Sequence, residues 1–340
     1  MSEQPLILQL SADTRADRTL IGGKAASLLT LAGIGAEVPP AFVLTTEAWR
    51  RWAANPDRSL VAALVDEGIA GLEARAGRTL GDGLIVSVRS GAPVSMPGMM
   101  DTVLNAGIGT PQPEAEDFIR EARLRFLRQY CELVLGIEPG DARTEDDFRT
   151  LAGNRWPSTP RDELVGAAEA VFASWQSSRA KLYRRMRKID DALGTAVTIQ
   201  QMVFGNRDEQ SGSGVAFTRD PTSGTHGLTG EYIAGGQGEE IVAGKETGAG
   251  LDGYVVAQAF QLLHGLGRRR DTRFVRPAFF ENGDFHGELG SLGGRRKGWL
   301  QCTMHSDRAF AKPDFRRAEQ PFTILHRAVI LTPCNSVPLS

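Results

Sequence analysis

The chain has 340 residues, of which 41% are hydrophobic and 24% are charged, and its formal net charge is -2. These values are ordinary for a globular protein with a sizeable core, and they exclude a global basic field of the kind that attracts nucleic acid. No run of about 18 apolar residues is present, so no membrane-spanning segment is predicted, and the first residues do not resemble a secretory signal. The three cysteines are too far apart for a disulfide framework or a metal pair, so we expect a reduced, cytoplasmic environment.

The charge is uneven along the chain. Residues 268–340 contain 13 Lys and Arg and 7 Asp and Glu, a net charge of +6, whereas the rest of the chain has a net charge of -8. The hydrophobic pattern also becomes irregular after about residue 260, which leaves open whether the tail is ordered. This change indicates a segment of different origin, and a shifted reading frame past residue 250 is one hypothesis for it.

The first half of the chain begins with a short predicted strand over residues 6–9. An amphipathic helix is predicted to open at Lys24 and to end at Gly33 or Gly35, because the leucines between them fall on roughly one face. The string FVLTTEAW reads as a strand that runs into a helix, with Thr45 or Thr46 as the N-cap.

The next predicted strand is LIVSVRSG, residues 84–91, which is rich in β-branched residues and is broken by a Ser-Gly pair. A long helix is predicted over residues 114–137, and a helical pair over residues 161–189. After residue 189 the predicted helices give way to β-rich segments. GTAVTIQQMVFG and SGSGVAFTRDP read as two strands of a hairpin, and THGLTGEYIAG as one more strand. The expected fold class is therefore α+β with a helical middle.

Two places in this pattern could hold phosphate, because each combines a cation with backbone N–H groups near glycine. One is Gly22-Gly23-Lys24 at a helix start, and the other is Arg89-Ser90-Gly91 at a strand end. Neither matches a known phosphate-loop pattern, and spacing alone favours Lys24 as a solvated lysine in a first helical turn. Arg89 is harder to explain in that way, because an arginine that closes a Val-rich strand is hard to bury without an anionic partner.

The string VSVRSGAPVSMPGMMDTVLNAG, residues 86–107, begins within this strand and contains two prolines, three glycines and three methionines. The methionines could be adaptable core filler. The prolines and glycines favour a shaped loop, and an apolar lid above one arginine would exclude water from a phosphoryl group. Farther along, Glu231 lies on a strand before a Gly-rich turn, where it suits a magnesium ligand or simply a solvated acidic loop.

Four strings of this sequence closely resemble the N-terminal, nucleotide-binding part of the pyruvate phosphate dikinase family. They are GGKAASLLTLAGIGAEVPPAFVLTTEAW, VSVRSGAPVSMPGMMDTVLNAG, AVFASWQSSRAKLYRRM and VTIQQMVFGNRDEQSGSGVAFTRDPTSGTHGLTGEYIAGGQGEEIVAG. The resemblance covers roughly residues 20–247 in order. It implies an ATP-grasp fold, in which two α+β lobes bind ATP and Mg²⁺. The implied divisions are a first lobe with a phosphate lid loop (1–108), a helical subdomain (109–190), a β-rich second lobe (191–260) and a divergent tail (261–340).

The resemblance also implies roles for particular residues. Lys24 and Arg89 match the family's phosphate-contacting lysine and arginine, and Glu231 is the implied metal ligand. The loop from Ser90 to Thr102 matches a segment that lies over the phosphate chain. The implied nucleotide-binding residues are Gly22, Gly23, Ser90, Gly91, Met100, Asp101, Thr102, Gln200, Gln201, Met202, Val203, Gln237 and Glu239.

In the family, ATP phosphorylates a histidine on a separate swivelling domain, which passes the phosphoryl group to pyruvate. This sequence departs from that pattern, because the glycine-rich histidine motif and the pyruvate-binding barrel are absent and the strand D-x-E-F-T followed by L-Q-T-R is not found after Leu251. We therefore expect a phosphotransferase part whose histidine partner lies on another domain or chain. The alternative is a non-catalytic nucleotide-binding module or a degenerate remnant.

Overall fold

The fold mixes helices with antiparallel sheets, which confirms the predicted α+β class. The computed structural model describes residues 4–33, 35–109, 117–207, 211–219, 223–224, 226–236, 249–250, 280–281, 284–285 and 299–305. The α-helices in this part of the chain are α1 (Arg18–Gly33), α2 (Thr46–Ala54), α3 (Arg58–Ala76), α4 (Asp117–Gln129), α5 (Glu145–Ala152), α6 (Pro160–Ser174) and α7 (Ser178–Arg187).

The strands are β1 (Ile7–Leu10), β2 (Ala41–Leu44), β3 (Thr79–Leu80), β4 (Gly83–Leu84), β5 (Val86–Gly91), β6 (Thr102–Ala106), β7 (Ala196–Gln201), β8 (Ser211–Arg219), β9 (His226–Ala234), β10 (Ala249–Gly250), β11 (Phe280–Glu281), β12 (Asp284–Phe285) and β13 (Trp299–His305). By its packing the chain divides into two units. The first comprises Met1–Thr30 and Pro39–Met202, and the second comprises Leu31–Val38 and Val203–Ser340.

The first unit is built on a five-stranded sheet in the order β1-β2-β7-β5-β6, with every neighbouring pair antiparallel. Side chains alternate between the two faces of a strand. On β5, Val86 and Val88 are fully buried in a core that includes Phe42 of β2 and Val171 of α6. The sheet therefore covers the hydrophobic core with one face, and the alternate residues of β5 lie on the other.

That other face carries polar residues in the middle of the sheet. Ser87 and Arg89 of β5 lie opposite Gln200 and Thr198 of β7, respectively. Thr198 and Gln200 are almost fully buried. A row of buried polar residues costs free energy unless it is hydrogen-bonded or serves a ligand, so this face is the first place to look for a site.

The second unit contains a four-stranded antiparallel sheet in the order β10-β9-β8-β13. β13 pairs with β8 over seven consecutive residues, although no strand was predicted in this part of the tail. β11 and β12 form a separate short antiparallel pair, and in the first unit β3 and β4 form a short parallel one. Among the described residues, no helix is both long and apolar enough to cross a bilayer.

The predicted hairpin over residues 194–221 is wrong. β7 pairs with β2 on one side and β5 on the other, so both of its hydrogen-bonding edges are occupied within the first unit. β8 pairs instead with β9 and β13 in the second unit. The alternating pattern identified the strands correctly, but sequence spacing alone does not decide which strands pair.

Most other predicted elements are confirmed with small shifts. The first strand lies one residue later than predicted, and Thr45 is the N-cap of α2, its side chain accepting a hydrogen bond from the Ala48 N–H. The helical pair is α6 and α7. In the described part of the predicted helix 114–137, α4 gives way to a π-helical turn, Tyr130–Leu135, that ends at Gly136.

Two helices, α3 and α5, and the strand β6 were not predicted. α3 buries six residues at helical spacing, namely Val61, Leu64, Val65, Gly68, Ile69 and Leu72. The helical spacing of these apolar residues is present in the sequence and predicts α3.

The domain boundaries within residues 1–260 stay a prediction.

Helix α1 is interrupted near its start rather than opening at Lys24. It begins at Arg18, but Gly22 has a non-helical backbone with φ of 77° and ψ of 168°. A Cβ atom at Gly22 would lie 1.6 Å from the carbonyl oxygen of Gly91. The regular helix therefore starts just after Gly22 and ends at Gly33, one of the two predicted ends, and only glycine allows its start to touch β5.

Arg123 of α4 and Glu163 of α6 are charged side chains that are buried together, with the partly exposed Glu145 beside them. Arg123 is only 3% exposed, and its guanidinium lies 2.7 Å from a carboxylate oxygen of Glu163 and 3.2 Å from one of Glu145. Burial raises the pKa of Glu163, although the nearby Arg123 opposes the shift. Charges taken out of water in this way depend on their partners.

Arg123→Met is expected to reduce the free energy of unfolding by about 3–5 kcal/mol, because it leaves the buried Glu163 carboxylate without its cation. Urea unfolding followed by circular dichroism measures this change. Arg120→Met, at an exposed ion pair on the same helix, is the control and is expected to change the value by less than about 1 kcal/mol. Equal effects of the two substitutions would show that the buried cluster contributes no more than a surface pair.

Gly22→Ala is expected to reduce the free energy of unfolding by about 2–4 kcal/mol, because the new methyl group meets the Gly91 carbonyl and the backbone φ is positive. Gly33→Ala, in the same helix, is the matched control, since a Cβ atom there meets no atom within 4 Å. The same urea measurement applies. A Gly22→Ala variant as stable as the wild type would contradict the close approach of α1 to β5.

Candidate functional site

The candidate site begins where the start of α1 meets the end of β5. The Gly23 N–H donates to the carbonyl of Ala92 at 2.9 Å, and the Lys24 ammonium donates to the carbonyl of Ser90 at 2.5 Å. The two predicted phosphate-binding places are therefore adjacent in the fold. Gly22 and Gly91 are required for this packing, independently of any ligand that their backbone groups could bind.

Lys24 is half-buried rather than fully solvated. Its ammonium contacts the backbone of the residue that follows Arg89, and it has at least one further interaction. This placement argues against the reading of Lys24 as an ordinary solvated lysine. The contact of Lys24 with a phosphate stays a prediction.

Arg89 is the unusual cation of this region. Its side chain is half-buried, and it makes no hydrogen bond or ion pair with any residue that the structure describes. Burial lowers the pKa of its guanidinium, which is the direction expected when a cation is removed from water without an anion beside it. The site therefore holds a positive charge that the described residues do not neutralise.

The strand neighbours of Arg89 add unsatisfied polarity. Arg89 lies opposite Thr198 of β7 on one side and Thr102 of β6 on the other. The Thr198 hydroxyl is buried and has no hydrogen-bond partner among the described residues. A buried hydroxyl and a guanidinium that both have no partner in the described ranges are the kind of exception that a ligand explains.

Four of the predicted nucleotide-binding residues, Gln200 to Val203, lie at the end of β7 and just after it. The Gln200 side chain donates to the carbonyl of Pro39 at 3.2 Å, and the Gln201 N–H donates to the carbonyl of Pro40 at 2.9 Å. Met202 leaves the strand, and its sulfur accepts from the Asn105 N–H at 3.2 Å. Val203 is the next residue, and it begins the longer of the two stretches that make up the second unit.

The loop from Ser90 to Thr102 is partly core and partly surface. Met96 is buried in the core, and Met99 and Met100 pack against it, so the reading of the methionines as core filler holds for this part of the loop. Val94, Pro97 and Gly98 are exposed. The loop is thus fixed by its methionines while its tip faces outward.

Hydrogen bonds hold both ends of this loop. At its start, the Arg18 Nε donates to the carbonyl of Pro93 at 2.9 Å. At its end, Arg179 of α7 forms an ion pair with Asp101 and donates its Nε to the carbonyl of Met99 at 3.2 Å. Asp101 is a predicted nucleotide-binding residue, and in this structure its carboxylate faces Arg179.

For the predicted metal ligand and the polar residues after it, the structure describes only the backbone of Glu231. Glu231 lies in β9, with its backbone opposite Val215 of β8 and Gly250 of β10. Gln237 and Glu239 lie outside the described residues. Within the described ranges, no group of three or more His, Cys, Asp or Glu residues could hold a metal ion by itself. A Mg²⁺ ion here would have to bring most of its ligands as phosphate oxygens and water.

Sequence reasoning missed three contributors to this region. Thr198 could have been found, because it alternates with Gln200 on the polar face of β7. Arg18 and Arg179 could not, since each reaches the loop from a distant helix and neither carries a local pattern. Their contribution depends on tertiary packing.

Comparison with known proteins places this geometry in a family. Residues 58–259 match the family described as pyruvate phosphate dikinase, AMP/ATP-binding domain. That range includes Arg89, Thr198 and Glu231, whereas Lys24 lies before it.

Individual relatives agree with this match. The chain is 38% identical over 273 residues to pyruvate, phosphate dikinase of Clostridium symbiosum, an alignment that covers 68% of this chain and 31% of the relative. It is 39% identical over 276 residues to pyruvate, phosphate dikinase 2 of Oryza sativa subsp. japonica, covering 69% and 31%, respectively. For pyruvate, phosphate dikinase 1, chloroplastic, of Zea mays, the identity is 39% over 277 residues, covering 69% and 29%.

The chain thus spans about a third of the length of the curated relatives that it matches. The family match covers more than half of the chain, and it contains β5, the strand on which Arg89 lies. This chain belongs to the pyruvate phosphate dikinase AMP/ATP-binding domain family.

Proposed function

We propose that this chain binds ATP with Mg²⁺ and serves as the ATP-binding part of a dikinase-type phosphotransferase, with the phosphate chain on Arg89 and Lys24. The observation that carries the proposal is the half-buried Arg89 guanidinium, which has no partner among the described residues. Family membership gives the nucleotide class, and the unpaired cation gives the place where its charge is needed.

The energetic argument concerns desolvation. A cation that is withdrawn from water and left unpaired costs several kcal/mol, and an anion bound against it offsets that cost. Arginine also presents its donors in a planar fork that fits phosphate oxygens. The exposed tip of the loop that follows β5 could then cover a bound phosphate and limit its access to water.

Lys24 and the glycine backbone support the same assignment. The Lys24 ammonium lies at the end of β5, beside Ser90, and the regular part of α1 begins at Gly23. Backbone N–H groups at a helix start favour negative charge. Nucleotide contacts by Met100, Thr102, Gln200, Gln201, Met202 and Val203 belong to the same proposal.

Magnesium enters the proposal with the nucleotide. Mg²⁺ in phosphotransfer sites takes one or two protein carboxylates together with phosphate oxygens and water. The described residues fit that arrangement better than a protein-only cage, and Glu231 is the proposed carboxylate. The ion's chemistry is to neutralise phosphate charge.

The proposed phosphoryl acceptor is a histidine on a separate domain or chain, and the proposed compartment is the cytoplasm. The family resemblance supplies the acceptor type, and an ATP-grasp arrangement of lobes is part of the same proposal. The relatives are about three times as long as the part of them that this chain matches.

A second candidate function is nucleotide binding without transfer. The observation that favours it is that the alignments cover only about a third of each relative, so the match supports nucleotide binding and not the remaining steps of a dikinase. Both candidate functions use the same ATP site. They differ only in whether a partner domain accepts the phosphoryl group.

Arg89→Met is expected to weaken MgATP binding roughly 10- to 100-fold, because it removes charge-assisted hydrogen bonds to phosphate. It is also expected to make the ligand-free chain as stable as the wild type or more stable, since a half-buried cation with no partner among the described residues is replaced by an apolar side chain. Calorimetric titration and urea unfolding measure the two effects.

Arg78→Met is the control for this experiment, because Arg78 is exposed and lies on the surface of the same unit. It is expected to leave both quantities unchanged. An Arg89→Met variant that binds MgATP as tightly as the wild type would exclude Arg89 from the site. A variant that is strongly destabilised would show that the guanidinium is satisfied by the fold itself.

The transfer step has its own prediction. The isolated chain, given pyruvate, ATP and phosphate, is expected to form no phosphoenolpyruvate, because the proposed acceptor histidine lies on a separate domain or chain that this assay omits. A separately purified chain that comprises the other two thirds of a pyruvate phosphate dikinase is then added, and radiolabel from ATP is followed into its histidine. Labelling that requires both chains supports the phosphotransferase, whereas MgATP binding without labelling favours the non-catalytic module.

A further inference from the structure

We infer that Arg179 is a positioning residue for nucleotide binding, because it fastens the end of the lid loop to helix α7. The lid loop is defined here as residues 92–101, between β5 and β6. The inference deepens the proposed function and rests on it. Nothing in the family match assigns a role to this arginine.

The contacts of Arg179 are with two separate groups of the loop. Its Nη2 pairs with an Asp101 carboxylate oxygen, and its Nε donates to the carbonyl of Met99 at 3.2 Å. One planar guanidinium thus holds a side chain and a main-chain carbonyl two residues apart. This geometry fixes the direction of the loop as well as its distance from the helix.

A neighbouring helix strengthens the attachment. The Asp101 N–H donates to the Ser174 hydroxyl at 3.3 Å, and that hydroxyl donates in turn to the carbonyl of Val171 at 2.7 Å. Asp101 is therefore held through its backbone by α6 and through its carboxylate by α7. Its side chain is only 17% exposed, whereas that of Arg179 is 54% exposed.

The position of this attachment explains why it matters for the site. Thr102 begins β6 immediately after Asp101, and Thr102 is the strand neighbour of Arg89. The other end of the lid loop is held beside Lys24 and Gly23 by α1. Releasing Arg179 would free the loop at the end next to Arg89, while the buried Met96 would still anchor its middle.

Because most of the Arg179 side chain is exposed, water screens the pair and its effect on affinity is moderate. Arg179→Ala is expected to weaken MgATP binding by about threefold to tenfold, since the loop must then be ordered at the expense of binding free energy. Arg179→Lys is expected to recover part of the loss, because an ammonium can pair with Asp101 but cannot hold Met99 in the same way.

A double-mutant cycle separates this role from a direct contact between Asp101 and the nucleotide. Arg179→Ala, Asp101→Asn and the double variant are titrated with MgATP by calorimetry. If the two residues act as one attachment, the double variant binds no more weakly than the weaker single variant. If Asp101 contacts the nucleotide independently, the two losses multiply and the inference is wrong.

Hydrogen exchange supplies a measurement that needs no nucleotide. In the ligand-free chain, amides of the lid loop are expected to exchange at least about threefold faster in Arg179→Ala than in the wild type. Arg185→Ala is the matched control, because Arg185 lies on the same helix and is exposed. It is expected to change neither exchange in the loop nor affinity for MgATP.

The outcomes distinguish this inference from the proposed function. Wild-type binding that Arg89→Met weakens but Arg179→Ala does not would leave the proposed function standing and overturn the role of Arg179. Unchanged loop exchange in Arg179→Ala would overturn it as well. A wild-type chain that binds no MgATP at millimolar concentration would overturn the proposed function and, with it, any role of Arg179 in nucleotide binding.

Discussion

The close approach of Gly22 to Gly91 is the constraint on which the candidate site depends. It lets the start of α1 lie directly on the end of β5, with no side chain between the two backbones. The Gly23 N–H and the Lys24 ammonium then reach carbonyls on either side of Gly91. A larger residue at position 22 would separate the helix from the strand and would move the ammonium away from the residue next to Arg89. The glycines thus act on function through packing, before any contact with a ligand.

Much of this arrangement could be predicted from local patterns. The strand that carries Arg89, the helix that follows Lys24 and the N-cap at Thr45 all depend on residues within one turn or one strand, so the sequence contains their signals. The two cations were chosen by chemistry, because each combines a charge with glycine-rich backbone. Their adjacency in the fold agrees with that choice, although their contact with a phosphate stays a prediction.

The errors have a common physical cause. The hairpin was wrong because β7 completes its hydrogen bonds with strands far away in sequence, and local alternation gives no information about distant partners. β13 has the alternation of a strand, with Leu300, Cys302 and Met304 between polar residues, but nothing local shows that it pairs along its whole length with β8. The role of Arg179 could not be predicted from local patterns, because it contacts a loop about 80 residues earlier in the chain. Long-range pairing is the part of this fold that local reasoning does not reach.

The lid loop shows why structural and functional readings of one segment need not exclude each other. Its methionine at position 96 is buried in the core, so that part of the loop contributes to folding whether or not a nucleotide binds. Its tip is exposed, and its two ends lie on either side of an arginine that has no partner among the described residues. A loop without the buried methionine would have to be ordered by the ligand, at the expense of affinity. A loop buried along its whole length could not open to admit one. The observed division has an anchored middle and tethered ends around an exposed tip. If the proposed function holds, this division keeps the ordering cost of nucleotide binding low.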